Sequence, residues 1–297
     1  MCLETTLQQA RAGARQAAAP DHDRARTQEL PRIGRRAFLK TGAAAGAVAG
    51  LGATGVGTVL ATPALASRVP SKRVVDLSHV FRAGFPVYTG PVPQRVVRKT
   101  IAADGFYTQE WTFWEHSATH MDAPGHFAAG GRLSPDITPE ELLLPAVVID
   151  ISARAAVDPD AQVTVADIRG FERGNGQILR GSAVLMHSGW ETRAGDPDAF
   201  QNVGPDGLFH FPGFSADAVE WLLENRDIRA IGVDTLSLDF GPSQTFDVHH
   251  LLLGADRYGL ENLRSLTAIP PRGATIFVGL IPWEAGSGGP CRVIARW

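Results

Sequence analysis

The sequence predicts a mixed α/β fold in which a single sheet is flanked by helices. Two short apolar runs, over residues 145–151 and 183–187, are typical of buried strands. Residues 215–226 have helical periodicity instead, with Ser215 as the N-cap and apolar residues on one face. Of the 297 residues, 44% are hydrophobic and 20% are charged, as in soluble globular proteins. Strands and helices alternate without an internal repeat or a second boundary, so we expect one mixed-sheet domain.

The remaining elements follow the same two patterns along the chain. Further strands are predicted over residues 73–78, 94–101, 107–114, 229–235, 274–280 and 292–297. Two short helices are predicted, one over 138–143 with Pro139 in its first turn and one over 164–171. Residues 191–214 are rich in Asp, Gly, Pro and Phe, which predicts a long loop that could serve as a lid.

Residues 1–66 are predicted to comprise a disordered leader followed by an export signal. Residues 1–34 are polar and aperiodic, and Arg35-Arg36 precede an uncharged run over 41–67 that is rich in Gly and Ala. Paired arginines before such a run, with 64–66 (Ala-Leu-Ala) as cleavage site, are typical of a twin-arginine signal. The alternative is a retained membrane anchor, since the run is long enough to span a bilayer. We expect cleavage, which leaves residues 67–297 as a periplasmic or secreted domain without stable membrane insertion.

Charge and cysteine content argue against two classes of protein. The formal net charge of −3 gives no indication of nucleic-acid binding. Cys2 lies in the predicted signal, so Cys291 is the only thiol of the predicted domain. We therefore expect neither a nucleic-acid partner nor a disulfide framework.

A cluster of metal-binding residue types occupies residues 116–126, which read His-Ser-Ala-Thr-His-Met-Asp-Ala-Pro-Gly-His. In an extended chain side chains alternate faces, so His116, His120, Asp122 and His126 share one face. A straight strand would separate His116 from His120 by about 13 Å at ~3.3 Å per residue, so the backbone must bend if both bind one metal. Imidazole and carboxylate suit zinc, manganese or iron. The cluster predicts a metal site, and the alternative is a polar loop with scattered histidines.

This cluster resembles the signature of the metal-dependent cyclase family, which includes bacterial kynurenine formamidase and isatin hydrolase. The signature is His-x-Gly-Thr-His-x-Asp-x-Pro-x-His, and the chain departs from it only at Ala118, where the family has Gly. Alanine resists the positive φ that glycine allows, so the departure affects the backbone at the bend and removes no ligand. The resemblance runs from about Val74 to the C-terminus and implies the barrel-like cyclase-family fold.

A distal motif completes the site by this resemblance. Residues 234–239 (Asp-Thr-Leu-Ser-Leu-Asp), His249 and Glu261 match the family in order and spacing. The resemblance implies two divalent ions, zinc or manganese, whose ligands are His116, His120, Asp122, His249 and Glu261. Asp122 and Glu261 are expected to bridge the ions. His250 is not assigned as a ligand, because its side chain would point away from that of His249 along an extended chain.

Four further residues are candidates for roles beside the metals. His126 shares the face of the proximal ligands, and its family position implies that it transfers protons. In the family an aromatic residue after the first strand lines the substrate pocket, and Phe85 and Tyr88 are the candidates. The alternative is that these rings pack the loop against the core. His187 ends a predicted strand and could face the site or be structural.

The implied reaction is attack of metal-activated water on a small amide or cyclic amide, such as an arylformamide or an isatin-like ring. A cyclase or dehydratase acting on a polyketide-like carbonyl is the alternative within the family. An exported metal-binding protein without catalysis is the alternative outside it. The resemblance also implies a homo-oligomer, a dimer or tetramer, with a small molecule as substrate.

Overall fold

The computed structural model describes residues 73–297, and the predicted signal over 1–66 lies outside them. In chain order the elements are β1 (Val74–Asp76), β2 (Gln94–Lys99), α1 (Ile101–Asp104), β3 (Thr108–Thr112), β4 (His120–Asp122), β5 (Leu143–Asp150), α2 (Ser152–Ala155), β6 (Gln162–Val163), α3 (Val165–Asn175), β7 (Ala183–His187), α4 (Pro197–Gln201), β8 (Gly213–Phe214), α5 (Ala216–Arg226), β9 (Ala230–Val233), α6 (Asp247–Gly254), β10 (Tyr258–Glu261), β11 (Arg272–Leu280) and β12 (Gly288–Arg296). Short 3₁₀ turns lie at Pro124–His126, Ser134–Asp136, Pro139–Leu142, Trp190–Arg193 and Leu266–Ala268.

The main sheet closes into a barrel of seven strands. Its strands are ordered β12-β11-β5-β7-β9-β10-β4, and β12 also pairs with β4 to complete the ring. Strands β5, β7, β9 and β10 are parallel to one another, the other pairings in the ring are antiparallel, and β1 pairs with β12 outside it. The predicted barrel-like mixed sheet is therefore confirmed.

Both faces of the parallel strands are buried, which explains their continuous apolar runs. On β5, Leu144 and Ala146 belong to the core inside the barrel, to which every strand of the ring contributes. The alternating residues Val147 and Ile149 belong to a second core outside it, where α3, α5 and α6 pack against the sheet. A third, smaller cluster of mostly aromatic residues, which includes Phe85, lies beside these two.

Several elements differ from the predictions. Strands β2 and β3 pair only with each other, as a hairpin separate from the barrel. The predicted helix over 138–143 is a 3₁₀ turn, Pro139–Leu142. The loop over 191–214 contains α4 and β8, and its rings Phe211 and Phe214 are fully buried, so they belong to the core and do not form a mobile cover. The short elements β4, α6 and β10 differ from the predictions too, and together they carry four of the five predicted ligands.

Within residues 73–297, no helix has both the length and the apolar character needed to cross a bilayer.

Candidate metal centre

The predicted ligands converge on the outer face of the barrel, where β4 and β10 lie antiparallel. Glu261 pairs with His120 in this register. Met121 and Leu260 belong to the core inside the barrel, so their alternating neighbours project outward. Helix α6 lies over this outer face and brings His249 to it.

Glycine at position 259 leaves room for the carboxylates. Gly259 pairs with Asp122 across the β4–β10 ladder. A Cβ there would lie 2.5 Å from a methyl carbon of Leu238 and 3.2 Å from Oδ2 of Asp122. A side chain at this position would therefore compete with Asp122 for the space between the two strands.

The predicted bend between the first two histidines occurs at Ala118. This residue has φ +54°, in the left-handed region that favours glycine. The bend brings the ring centroids of His116 and His120 to 5.2 Å, far less than a straight strand allows. It also places the Ala118 carbonyl 2.8 Å from Nδ1 of His120. Alanine therefore adopts the backbone conformation for which the family signature has glycine, at a cost of roughly 1–2 kcal/mol.

The inner nitrogens of the histidines face two carboxylates at close range. His116 Nδ1 lies 2.6 Å from Asp122 Oδ1. His120 Nε2 lies 3.3 Å from Asp122 Oδ1 and 3.2 Å from Glu261 Oε2. His249 Nε2 lies 3.2 Å from Glu261 Oε1 and 3.6 Å from Asp122 Oδ2. The structure thus brings all five predicted ligands together, and Asp122 contacts all three histidines.

The outer nitrogens of two histidines show which atoms carry hydrogen. The Ala118 carbonyl can only accept, so His120 Nδ1 donates to it. The Asp239 carboxylate likewise accepts from His249 Nδ1 at 2.6 Å. Each Nε2 therefore presents a lone pair to carboxylate oxygens, which also carry lone pairs. This arrangement is stable only when a cation or a proton lies between them, and it fits a metal.

Two buried atoms support the same interpretation. His120 Nε2 and Asp122 Oδ2 have no hydrogen-bond partner within residues 73–297, although buried polar atoms almost always have one. Burial lowers the pKa of His120, but the negative charges of Asp122 and Glu261 beside its Nε2 outweigh it and raise the pKa to about 10. Burial also lowers the pKa of His249, and the same two carboxylates with Asp239 raise it well above its usual value. The cluster is thus built to hold positive charge.

His126 lies at the edge of this cluster, in the 3₁₀ turn that follows β4. Its ring stacks on that of His116, with 3.7 Å between centroids. Burial lowers the pKa of His126 to about 4, so the ring is neutral near pH 7. Donor atoms of His116, Asp122 and His126 all lie within 4.8 Å of one another, as do those of His120, Asp122 and Glu261. Since Asp122 is common to both groups, the geometry provides two adjacent donor sets, and the proton-transfer role of His126 stays a prediction.

The two substrate-contact candidates occupy different environments. Phe85 is 1% exposed and packs edge-on against Phe200, which matches the core-packing alternative. Tyr88 is half-buried, with its ring 5.6 Å from that of Phe246. Burial and the charge of Asp239 raise the pKa of Tyr88. The Phe246 ring that Tyr88 contacts lies in turn 5.7 Å from that of His249.

Tyr88, Phe127 and Phe246 form an aromatic wall beside the centre. The rings of Phe127 and Phe246 lie 4.7 Å and 5.7 Å from that of His249. Phe127 also contacts His126 at 4.8 Å between centroids. The wall therefore adjoins both the distal ligand and the candidate proton carrier.

His250 is exposed, its ring packs against Phe127 at 5.0 Å between centroids, and no carboxylate of residues 73–297 contacts it. Its separation from the ligands has a different cause from the one predicted. The predicted cause was side-chain alternation along an extended chain. The structure instead places His249 and His250 on helix α6, where successive residues are rotated by about 100°.

Sequence reasoning assigned no role to Asp239, which holds His249. Besides accepting from His249 Nδ1, Asp239 accepts from the backbone N–H groups of Val248 and His249 at the start of α6. Asp239 lies inside the predicted distal motif, but nothing in that motif indicates that it orients His249. Asp234, from the same motif, is 0% exposed and accepts from the Ser188 hydroxyl at 2.6 Å, which makes it a turn-stabilising residue.

His187 lies with Asp234, and no predicted ligand contacts it. Its Nδ1 is 3.5 Å from Asp234 Oδ2. The interaction with Asp234 raises the pKa of His187. These contacts support a structural role for His187 over a role in the metal centre.

The size of a cavity does not mark this site. A cavity of about 650 Å³ lies between the β2–β3 hairpin and β12, with Phe81, Trp111, Phe113 and Trp283 in its walls. None of the predicted ligands lines it. The donor set, rather than the volume, identifies the metal centre.

Comparison with known proteins agrees with the fold and the motif. The model of the family named Cyclase matches residues 75–240. An isatin hydrolase of Roseibium aggregatum is 33% identical over 240 residues, 75% of this chain and 90% of that protein. A kynurenine formamidase of Erythrobacter litoralis is 26% identical over 227 residues, 76% of this chain and 94% of that protein. The solved structure of isatin hydrolase A from Ralstonia solanacearum superposes with a TM-score of 0.73 at 36% identity, covering 76% of this chain and 92% of that one. Signature, barrel and relatives agree, and the chain belongs to the cyclase family.

Proposed function

We propose that this protein is a metal-dependent hydrolase that opens a carbon–nitrogen bond, other than a peptide bond, in a small aromatic amide or cyclic amide. The observation that carries the proposal is the convergence of three histidine nitrogens on two buried carboxylates, Asp122 and Glu261. Relatives named isatin hydrolase and kynurenine formamidase support this reaction class.

Five side chains would hold the metal: His116, His120, Asp122, His249 and Glu261. Asp122 and Glu261 each contact more than one histidine, which supports the proposal that the five side chains would hold two ions. Nitrogen and carboxylate donors suit zinc and manganese alike. When bound, such ions polarise a carbonyl group and lower the pKa of a coordinated water.

We infer that His126, whose ring stacks on that of His116, moves the proton that the reaction transfers. Hydrolysis adds water across the C–N bond, so the carbonyl carbon gains a hydroxyl and the leaving nitrogen gains a proton. A neutral imidazole can accept the proton of the attacking water and donate it to that nitrogen. Burial keeps His126 neutral near pH 7, as this role requires.

The aromatic wall of Tyr88, Phe127 and Phe246 supports an aromatic substrate. These rings lie beside His249 and His126, so a flat ring stacked on them would have its carbonyl near the metal ligands. Edge-to-face contacts between aromatic rings contribute about 0.5–1.5 kcal/mol beyond their buried area.

The test is metal analysis of the purified full-length chain, followed by assays with isatin and with an arylformamide. We expect bound zinc or manganese and products that gain the mass of one water. A product that loses water would favour the cyclase or dehydratase alternative. A metal-loaded protein that turns over neither substrate class would refute the proposed function and leave a metal-binding protein.

A further inference from the structure

Two residues outside the predicted ligand set contact the far side of His116. Ser287 Oγ lies 3.0 Å from His116 Nε2, and Glu115 Oε2 lies 2.7 Å from that same Oγ. Glu115 immediately precedes His116, whereas Ser287 immediately precedes β12. The three side chains form a chain of hydrogen bonds that ends at the metal centre.

The chemistry of the groups sets the direction of these hydrogen bonds. An ionised Glu115 carboxylate can only accept, and it already accepts the backbone N–H of Ser287 at 3.0 Å. The Ser287 hydroxyl therefore donates its single hydrogen to Glu115. Its oxygen is left to accept from His116, so His116 Nε2 carries the hydrogen and Nδ1 carries the lone pair. His116 Nδ1 lies 2.6 Å from Asp122 Oδ1, inside the cluster.

We propose that Glu115 and Ser287 are positioning residues that hold His116 in the tautomer and orientation needed to bind metal through Nδ1. This inference rests on the proposed function, because it assigns partners to one of that function's metal ligands. It also excludes Ser287 as a nucleophile. Its hydrogen points at Glu115, and the adjacent imidazole nitrogen is a donor that cannot take a proton from it.

The loop that carries Ser287 is held by contacts that do not involve its hydroxyl. The Ser134 hydroxyl lies 3.0 Å from the Gly286 oxygen and 2.9 Å from the Gly288 oxygen. A Cβ at Gly288 would overlap the Met121 carbonyl and lie 2.8 Å from a ring carbon of His116. Removing the Ser287 hydroxyl should therefore break the hydrogen-bond chain while the loop stays in place. Ser134→Ala is the matched control, since it removes a hydroxyl that holds the same loop but does not contact His116.

The experiment measures zinc affinity of the full-length chain by competition with a chelator. Partners of metal-bound histidines typically contribute about 10–100-fold in affinity. We expect Ser287→Ala and Glu115→Ala each to weaken zinc binding by about that factor. Ser287→Thr retains the hydroxyl and should restore most of the affinity, and Ser134→Ala should leave it within about threefold. Thermal unfolding of the metal-free variants checks that each one is folded.

A second readout follows the tautomer itself. In the zinc-loaded, ¹⁵N-histidine-labelled protein, long-range NMR correlations should show hydrogen on His116 Nε2, and Ser287→Ala should yield a mixture of tautomers or ring orientations. Unchanged affinity and tautomer in Ser287→Ala would overturn this inference alone. An equal loss in Ser134→Ala would overturn it in favour of loop placement. If the unmodified chain binds no zinc or manganese, both this inference and the proposed function are wrong.

Discussion

Replacing His126 separates proton transfer from metal binding at one residue. His126→Gln keeps a polar side chain of similar reach but cannot accept and release a proton near neutral pH. General acid–base groups contribute about 10²–10⁴-fold in rate, which corresponds to about 2.7–5.4 kcal/mol in the barrier. His126 stacks on His116 and does not hold its hydrogen bonds, since Asp122 and Ser287 do. We therefore expect turnover to fall by that factor while metal content stays unchanged.

The assay measures turnover and metal stoichiometry on the same purified sample of His126→Gln. The donor atoms of His126 lie within 4.8 Å of those of His116 and Asp122, so a ligating role is the direct competitor. Loss of one metal equivalent would make His126 a ligand, and another group would have to carry the proton. Unchanged turnover with full metal content would show that His126 has neither role.

Three further predictions concern other parts of the chain. His249→Ala should abolish metal binding and activity, whereas substitution of its exposed neighbour, His250→Ala, should change metal content and activity by less than about threefold. A larger loss in His250→Ala than in His249→Ala would show that the distal motif is assigned one residue out of register. Changing Arg35 and Arg36 together to Lys keeps the charge but removes the paired guanidinium groups, so we expect active protein to stay in the cytoplasm; normal export would reject the twin-arginine signal. The pKa of His187 is raised by its buried carboxylate partner, so its contribution to stability is complete below the unfolded pKa near 6.5 and is lost as pH rises through the raised value. Denaturant unfolding should show the stability difference between the unmodified chain and His187→Gln shrinking as pH increases through that range, and a growing difference would contradict the assignment.

The sequence was informative wherever local spacing alone constrains the chemistry. The alternation of His116, His120 and Asp122 predicted a shared face and required a bend, and the structure places that bend at Ala118. Continuous apolar runs predicted β5 and β7, because strands buried on both faces have no polar alternation. Ser215 as N-cap predicted the start of α5 to the residue.

Hydrophobic periodicity did not predict the elements that are too short to show a repeating pattern. Strands β4 and β10 have three and four residues, and α6 has eight. Their existence depends on barrel closure and on packing over the outer face, both of which are non-local. Sequence reasoning therefore treated His249 and His250 as extended chain, and helical rotation, not alternation, decides which of them faces the centre.

By itself the sequence determined the family, the kind of fold and the identities of the metal-binding residue types, because these depend on residues within one short segment or on recognisable spacing. Only the tertiary structure decided which atoms of those residues meet. Asp239 reaches His249 across ten positions, and Glu115 reaches Ser287 across 172. Hydrogen bonds between such distant residues produce no periodic pattern in the sequence, because each partner is compatible with the secondary structure of its own segment. The direction of each imidazole, and with it the metal-binding tautomer, follows from these long-range contacts.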